Sequence, residues 1–433
     1  MGALRTDGAA RPGLRPPDAA PHAVGAMIRS GRKGPWTTQT VTQLAVLAGA
    51  AFIYVTAEIL PVGALPAISR DLHVSIPAVG TLLAWYALVA AVTTVPLVRW
   101  TARWPRRRTL LLALTCLTVS QLISAMAPNF LVLAGGRALC ALTHGLLLSV
   151  LAPIATRLVP ASHSGRATTL VYVGIGLAVV VGSPLTAAMS LLWGWRMAVV
   201  VITAGAAFIT VAAWAALPEL VLSGEQLATV GPGARHYRNR QLVTVSLLTL
   251  VAVIGQYISY TYIVVIIRDV VGVRGPNLAW LLAAYGIAGL SAMPLVARPL
   301  DHRPRIAVIS CAAVLWATFV SLTALTLGSG PTLATALIGT VAIALWGGAA
   351  NGVSPMLQAA AMRAGGDDPD GASGLYMAVF QVGIMAGSLA GGFLYERSEQ
   401  AMLAASAVLM GIALVGVTVG RHMFDVPTTS DPR

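Results

Sequence analysis

Residues 42 to 65 read TQLAVLAGAAFIYVTAEILPVGAL, twenty-four positions with one ionisable side chain, Glu58. A helix rises about 1.5 Å per residue and a bilayer's hydrocarbon core is about 30 Å thick, so this stretch predicts a transmembrane helix. The signature recurs along the chain. Twelve spans are predicted, at 42–65, 76–98, 109–127, 131–158, 169–190, 197–217, 242–266, 278–297, 306–327, 332–361, 373–394 and 401–420. The fourth and tenth exceed the minimum length and therefore tilt or protrude. The 28 basic and 15 acidic residues nearly all fall between spans, leaving Glu58 and Arg137 stranded within them. A charge at mid-bilayer costs about 2.5–3.5 kcal/mol on insertion scales, which makes each a functional candidate.

Composition excludes a soluble globular chain: 57% of residues are hydrophobic, 10% are charged and mean hydropathy is +0.79, against about 25% charged in soluble domains. The net charge of +13 invites a nucleic-acid reading, but its distribution opposes one. With the amino terminus in the cytoplasm, 22 Lys and Arg fall in cytoplasmic segments and five, Arg70, Arg196, Arg268, Arg274 and Arg397, fall outside. The positive-inside rule then places both termini in the cytoplasm. The basic run Arg99 to Arg108, with Trp100 and Trp104, reads as a juxtamembrane loop at anionic headgroups rather than a nucleic-acid patch. Arginine outnumbers lysine 27 to one, which suggests a bacterial inner membrane. Cys116, Cys140 and Cys311 lie within spans without disulfide or metal spacing, so no metal is expected. No phosphate-cradling Gly-Lys-Ser/Thr loop and no nucleophile constellation appear, so neither an ATP-driven pump nor an enzyme is indicated and no cofactor is expected.

The domain plan follows from the same pattern. Residues 1–40 read as a disordered cytoplasmic tail, 41–217 and 242–420 as six-helix bundles, 218–241 as a linker holding Gly231-Pro232-Gly233, and 421–433 as a second tail. The two halves align at an offset near 199. Tyr86 answers to Tyr285, Arg103-Trp104-Pro105-Arg106 to His302-Arg303-Pro304-Arg305, Arg70-Asp71 to Arg268-Asp269, and His144-Gly145 to Trp346-Gly347.

Six plus six helices with parallel halves is the major facilitator plan, an all-α integral membrane fold of two pseudosymmetric bundles. Glu58-Ile59-Leu60-Pro61-Val62-Gly63-Ala64-Leu65-Pro66, Pro105-Arg106-Arg107-Arg108, Gly136-Arg137, Gly182-Ser183-Pro184 and Gly194-Trp195-Arg196 occur in one order. In that order the chain resembles the twelve-span drug:proton antiporters, in the branch of arabinose-efflux and chloramphenicol-resistance permeases, over about residues 40 to 420. The resemblance implies a proton-coupled, monomeric exporter of small organic molecules. It also implies a role in proton coupling for Arg137 and in conformational change for Pro105, Arg106, Arg107, Asp301, Arg303 and Arg305. Two departures stand out. Ala102 occupies the place of the family's loop Asp, and Ser183 interrupts the fifth-span Gly-Pro.

The residues themselves support several roles. Glu58, sixteen residues into its span, must face an aqueous cavity or a partner, either as a proton carrier or as a wall that binds a cationic substrate. Arg137 keeps its charge and must be solvated by water, carbonyls or an anion. His144, two turns on, shares its helix face and completes a possible relay, or packs as an ordinary imidazole. Gln256 is the neutral counterpart of Glu58 at an offset of 198. With Tyr257, Tyr260, Trp85, Tyr86, Asn351 and Gln358 it forms a candidate mixed polar and aromatic pocket. Gly182 and Gly387 belong to small-residue ladders that let helices approach, and Pro184 bends the fifth span. Rivals to drug export are sugar or amino-acid efflux, uncoupled facilitation, and a sensor built on the same scaffold.

Overall fold

The structure, a computed structural model, describes Gly2 and residues 36–101, 103–160, 163–219, 239–302, 304–328, 332–365 and 369–420. Of the expected tail at 1–40 only Gly2 and residues 36–40 are described, and from Thr38 they already belong to the first helix; most of the 218–241 linker, the 421–433 tail, Ala102 and Arg303 lie outside the described residues, as does the side chain of Asp301. Every element among the described residues is helical. The first three spans are Thr38–Asp71, Ile76–Thr101 and Arg106–Ala125; the fourth is Phe130–Leu142 followed by His144–Arg157. The fifth joins Ser164–Leu177 to Ser183–Leu192 through a π turn at Ala178–Gly182, and the sixth is Trp195–Ala216. The seventh is Arg240–Tyr260 continued by Ile263–Val265 and a π turn, Ile266–Val270. Pro276–His302, Pro304–Leu325, Leu333–Ala364, Pro369–Tyr395 and Glu399–Val419 complete the twelve. Eleven meet the length and polarity of a membrane span over their described residues.

Packing repeats between halves. The first span lies on the fifth as the seventh lies on the eleventh, the third on the sixth as the ninth on the twelfth, and the second on the fourth as the eighth on the tenth. Glycines set the first of these pairs. A Cβ at Gly174 or Gly182 would collide with the Ala48 carbonyl or the Thr56 hydroxyl of the first span, and one at Gly387 would lie 2.7 Å from the Ile254 carbonyl oxygen of the seventh. Only a missing side chain lets the backbones come this close. The halves meet chiefly where the second span lies on the eleventh and the fifth on the eighth, and the first also touches the seventh at Ile263–Val265.

Helix ends follow the same duplication. The last carbonyls of a helix have no partner within it, so a donor from elsewhere must reach them. Arg107 of the third span donates to the Trp214 carbonyl closing the sixth, and Arg305 of the ninth donates to the Thr418 carbonyl closing the twelfth at 2.8 Å. By contact, Arg107 rather than Arg106 is thus the counterpart of Arg305, one position from the alignment. Arg107 also lies 3.8 Å from Glu219. Pro105 supplies the residue before the third helix, and Arg106 has the like charge of Arg157 as its neighbour.

Three breaks depart from the uninterrupted spans expected. The fourth span breaks at Thr143, where Gly145 lies so close to Thr94 of the second span that a Cβ would overlap it. The fifth loosens to a π turn before Pro184, which has no N–H to give. The seventh ends at Tyr260, where the Thr261 hydroxyl takes the Tyr257 carbonyl at 2.9 Å, a back-bond that bends helices.

Candidate functional site

Pro61 determines what Arg137 does. A proline in mid-helix cannot donate to the carbonyl four residues back, so the Ala57 oxygen is left without its helical partner. Arg137, 2% exposed, fills the vacancy: its Nη1 donates to the Ala57 carbonyl at 2.5 Å and its Nη2 to the Glu58 carbonyl at 2.6 Å. Of the three solvating groups open to Arg137 in the sequence, carbonyls are the ones used. The guanidinium carbon lies 5.1 Å from the Tyr86 ring centroid, and Nε has no hydrogen-bond partner among the described residues. Arg137 therefore holds the fourth span to the first through backbone carbonyls beside Pro61. It is not paired to the Glu58 carboxylate.

That carboxylate turns toward His144. Glu58 Oε2 lies 3.6 Å from His144 Nδ1, with the two side chains 14% and 11% exposed. The same Nδ1 is 3.0 Å from the Tyr86 hydroxyl, and the two rings meet edge to face. Tyr54 precedes Glu58 by one turn and so shares its face. Its hydroxyl donates to the Cys140 carbonyl at 2.5 Å and pairs with Thr143 at 3.0 Å, stitching the break in the fourth span. Cys140, read as a packing residue, contributes that carbonyl and a sulfur 3.8 Å from the Tyr86 hydroxyl. Carboxylate, imidazole and phenol thus form one chain of polar groups about a single ring nitrogen, the phenol within hydrogen-bond length and the carboxylate just beyond it.

The second half faces this chain with aromatic rings. The Glu58 charge lies within electrostatic reach of Tyr257 and Tyr260 as well as Tyr54 and Tyr86. Tyr257 packs edge-on to Tyr260 and Phe380, and Tyr260 reaches Tyr285 and Trp346. The Gln256 side chain lies close to the Tyr285 phenol. Tyr257 and Tyr260 are therefore brought within electrostatic reach of Glu58, and Gln256 lies beside Tyr285.

Other candidates are placed elsewhere. Tyr86, expected in the pocket, is buried inside the polar chain. Trp85, 56% exposed, shares the outer stripe of the second span with Val92 and Trp100 and is not brought to the cluster. One residue along a helix turns the side chain by about 100°, which separates the neighbours. Asn351 donates to its own helix at the Gly347 carbonyl, 2.9 Å away, against Gly289 of the eighth span. Gln358 is half-buried two turns further along. The sequence reading passed over Tyr54, Tyr285, Trp346 and Phe380 as site residues. The four-residue spacing of Tyr54 from Glu58 was the available signal for the first. Among the described residues no group of three acidic, histidine or cysteine side chains is close enough to hold a metal.

With this geometry, comparison with known proteins is decisive. The family model of the Major Facilitator Superfamily matches residues 47–368 and 245–432. The chain belongs to the major facilitator superfamily. It is a secondary transporter with that superfamily's fold of two six-helix bundles. It is 69% identical, over 396 residues, to a protein named chloramphenicol efflux pump from Mycobacterium tuberculosis strain ATCC 25618 / H37Rv, covering 92% of this chain and 96% of that one. The protein of that name from strain CDC 1551 / Oshkosh matches to the same extent. Among solved structures, the nucleoside transporter NupG superposes with a TM-score of 0.70 at 10% identity over 89% of this chain and all of that one. A D-xylose-proton symporter gives 0.66 at 14% identity over 87% and 96%. Identities this low speak to the fold alone.

Proposed function

We propose that the protein exports chloramphenicol or a chemically similar aromatic amide from the bacterial cytoplasm in exchange for protons. The single observation that carries the reading is the Glu58 carboxyl group, held between an ionisable chain in one half and a tyrosine-lined wall in the other. Glu58 takes up a proton when the cavity opens to the outside and gives it up when the cavity opens inward. His144 and Tyr86 pass the proton or orient the carboxyl group. Arg137 holds the first span on the fourth while this happens, and Tyr257, Tyr260 and Gln256 receive the cargo. No covalent bond of the cargo changes, so the protein is a transporter and not an enzyme.

Orientation and motion complete the reading. Both termini lie in the cytoplasm, as the arginine distribution requires. The halves 41–217 and 242–420 rock as units in a monomer about the glycine-tightened contacts, with Gly182, Pro184 and Gly387 on the surfaces that slide and Pro105, Arg106, Arg107, Asp301, Arg303 and Arg305 at the cytoplasmic ends. A membrane potential of 100 mV supplies about 2.3 kcal/mol per elementary charge, so each coupled proton supports a substantial drug gradient.

The test is transport in proteoliposomes. Wild-type protein is expected to drive labelled chloramphenicol uphill on an imposed pH gradient, and Glu58→Gln to retain only counterflow without that gradient. Full pH-driven transport by Glu58→Gln would end the proton-carrier role. Absence of chloramphenicol counterflow in the wild type would end the cargo assignment.

A further inference from the structure

Five basic residues lie at the end of the bundle away from the chain termini, and their fates differ. Arg196 is tied to Asp71, whose carboxylate also accepts from Trp195 Nε1 at 3.0 Å, and Arg397 lies over the Phe393 ring. The other three, Arg70, Arg268 and Arg274, line one cavity of about 250 Å³. Its walls come from both halves: the first and fifth spans on one side, the seventh and eighth on the other. Among the described residues, no acidic side chain lines it. Asp269 occupies one edge of the Arg268 fork, and Glu399 acts on that pair from the twelfth span. Among the described residues, neither Arg70 nor Arg274 has a carboxylate partner.

A second observation points to an occupant. Ser190 lines the same cavity, is 6% exposed, and its Oγ has no hydrogen-bond partner among the described residues. A buried hydroxyl normally finds a partner. Three arginines lining one cavity repel one another, whereas an anion held among them turns repulsion into attraction from both sides. Arginine forks match the paired oxygens of a phosphate group. The cavity holds such a group with room for water.

We infer that this cavity binds a phosphate-type oxyanion, either free or as a lipid headgroup, and that the bound anion clamps the two halves together at this end. The anion contacts Arg70 and Ser190 of one half and Arg268 and Arg274 of the other. It therefore favours the state closed here, and by linkage that state favours the anion. Gly275, at φ +62°, makes the turn that presents Arg274 just before the eighth helix begins. This inference is independent of proton coupling and of the cargo.

Hydrogen exchange by mass spectrometry on the full-length protein in nanodiscs tests it. In phosphatidylcholine discs, inorganic phosphate at ten times its Kd is expected to slow exchange over residues 263–278 about tenfold relative to chloride of matched ionic strength. Phosphatidylglycerol discs without phosphate form the second arm. Slowing in the first arm identifies a free anion as occupant, and slowing in the second arm alone identifies the headgroup. Arg70→Gln with Arg274→Gln should abolish the effect and Ser190→Ala should weaken it, while exchange in Phe130–Leu142 stays as in wild type and reports an intact fold. No slowing in either arm, or slowing that survives both glutamine substitutions, overturns the inference.

Discussion

The two halves place the same pair of rings in the same way and use it differently. Tyr86 of the second span meets His144 of the fourth with centroids 5.6 Å apart and planes at 86°; Tyr285 of the eighth meets Trp346 of the tenth at 5.8 Å and 84°. Each tyrosine has a polar neighbour from the first span of its half, Glu58 within reach of Tyr86 and Gln256 close to Tyr285. The duplication has kept a frame and changed its charge state. In the first half every partner of the tyrosine can exchange a proton or carries charge. In the second half the equivalent places hold an amide and an indole, so that frame can bind but cannot titrate. On the proposed function, coupling and recognition divide between copies of one arrangement.

The largest effect expected from breaking this division is at Glu58. Glu58→Gln leaves the first half, like the second, without a carboxyl group at this place, and pH-driven accumulation of drug should be lost while exchange without a gradient survives. Adding Gln256→Glu to that variant moves the carboxyl group to the other frame, where neither His144 nor Arg137 has an equivalent. Coupling should not return. Uphill transport by the double variant at wild-type rates would show that the frames are interchangeable and that the surrounding charges are incidental.

Next in size is the Arg137 anchor, which has no counterpart in the second half. Removing two charge-assisted hydrogen bonds to carbonyls, each worth about 1.5–3 kcal/mol, should make Arg137→Ala about 3 kcal/mol less stable. The cause assigned here makes a sharper claim. If Arg137 satisfies the carbonyl that Pro61 orphaned, Pro61→Ala restores a helical donor and part of the loss disappears. A double-mutant cycle in detergent unfolding should give a coupling of about 1 kcal/mol between the two sites. Strict additivity would show that the arginine and the proline act separately.

How much of this was legible beforehand depended on range. Spans, their polarity and the isolation of Glu58 and Arg137 follow from single-chain hydropathy, because burial in lipid leaves little latitude. The duplication was legible too, through ordered motifs, although contact moved the partner of Arg305 from Arg106 to Arg107. The breaks were not. Thr143 breaks the fourth span where a tyrosine eighty-nine residues earlier supplies a hydroxyl, and no local pattern encodes that. Tyr86 and Trp85 looked equivalent as aromatic neighbours, yet adjacent positions on a helix point apart, and which one faces inward is decided by the helices around them.

The glycine contacts are shared by both halves and should give a smaller, symmetric effect. Gly182→Val and Gly387→Val insert side chains where backbones touch, and overpacking of this kind costs about 1–3 kcal/mol. Transport rates should fall in both variants with an unchanged pH profile, since neither site carries charge. Stopped-flow efflux at several pH values distinguishes this from a coupling defect. A shifted profile in Gly182→Val alone would tie the Thr56 contact to the proton chain, two residues from Glu58.

The smallest effect expected is at Gln256, and it sharpens the comparison most directly. Gln256 stands where Glu58 stands, but its amide lies beside the Tyr285 phenol and, on the proposed function, receives the cargo. Gln256→Leu removes a neutral hydrogen-bonding group, and a neutral hydrogen bond has a net worth of about 0.5–1.5 kcal/mol, so KM for drug should rise about two- to tenfold while coupling to the pH gradient is retained. Glu58→Gln should do the reverse, sparing exchange and losing coupling. Measuring both parameters in both variants assigns each frame its task. If Gln256→Leu altered the pH dependence as much as it altered KM, the second frame would have to be part of the proton path, and the division between the halves would fail at its simplest point.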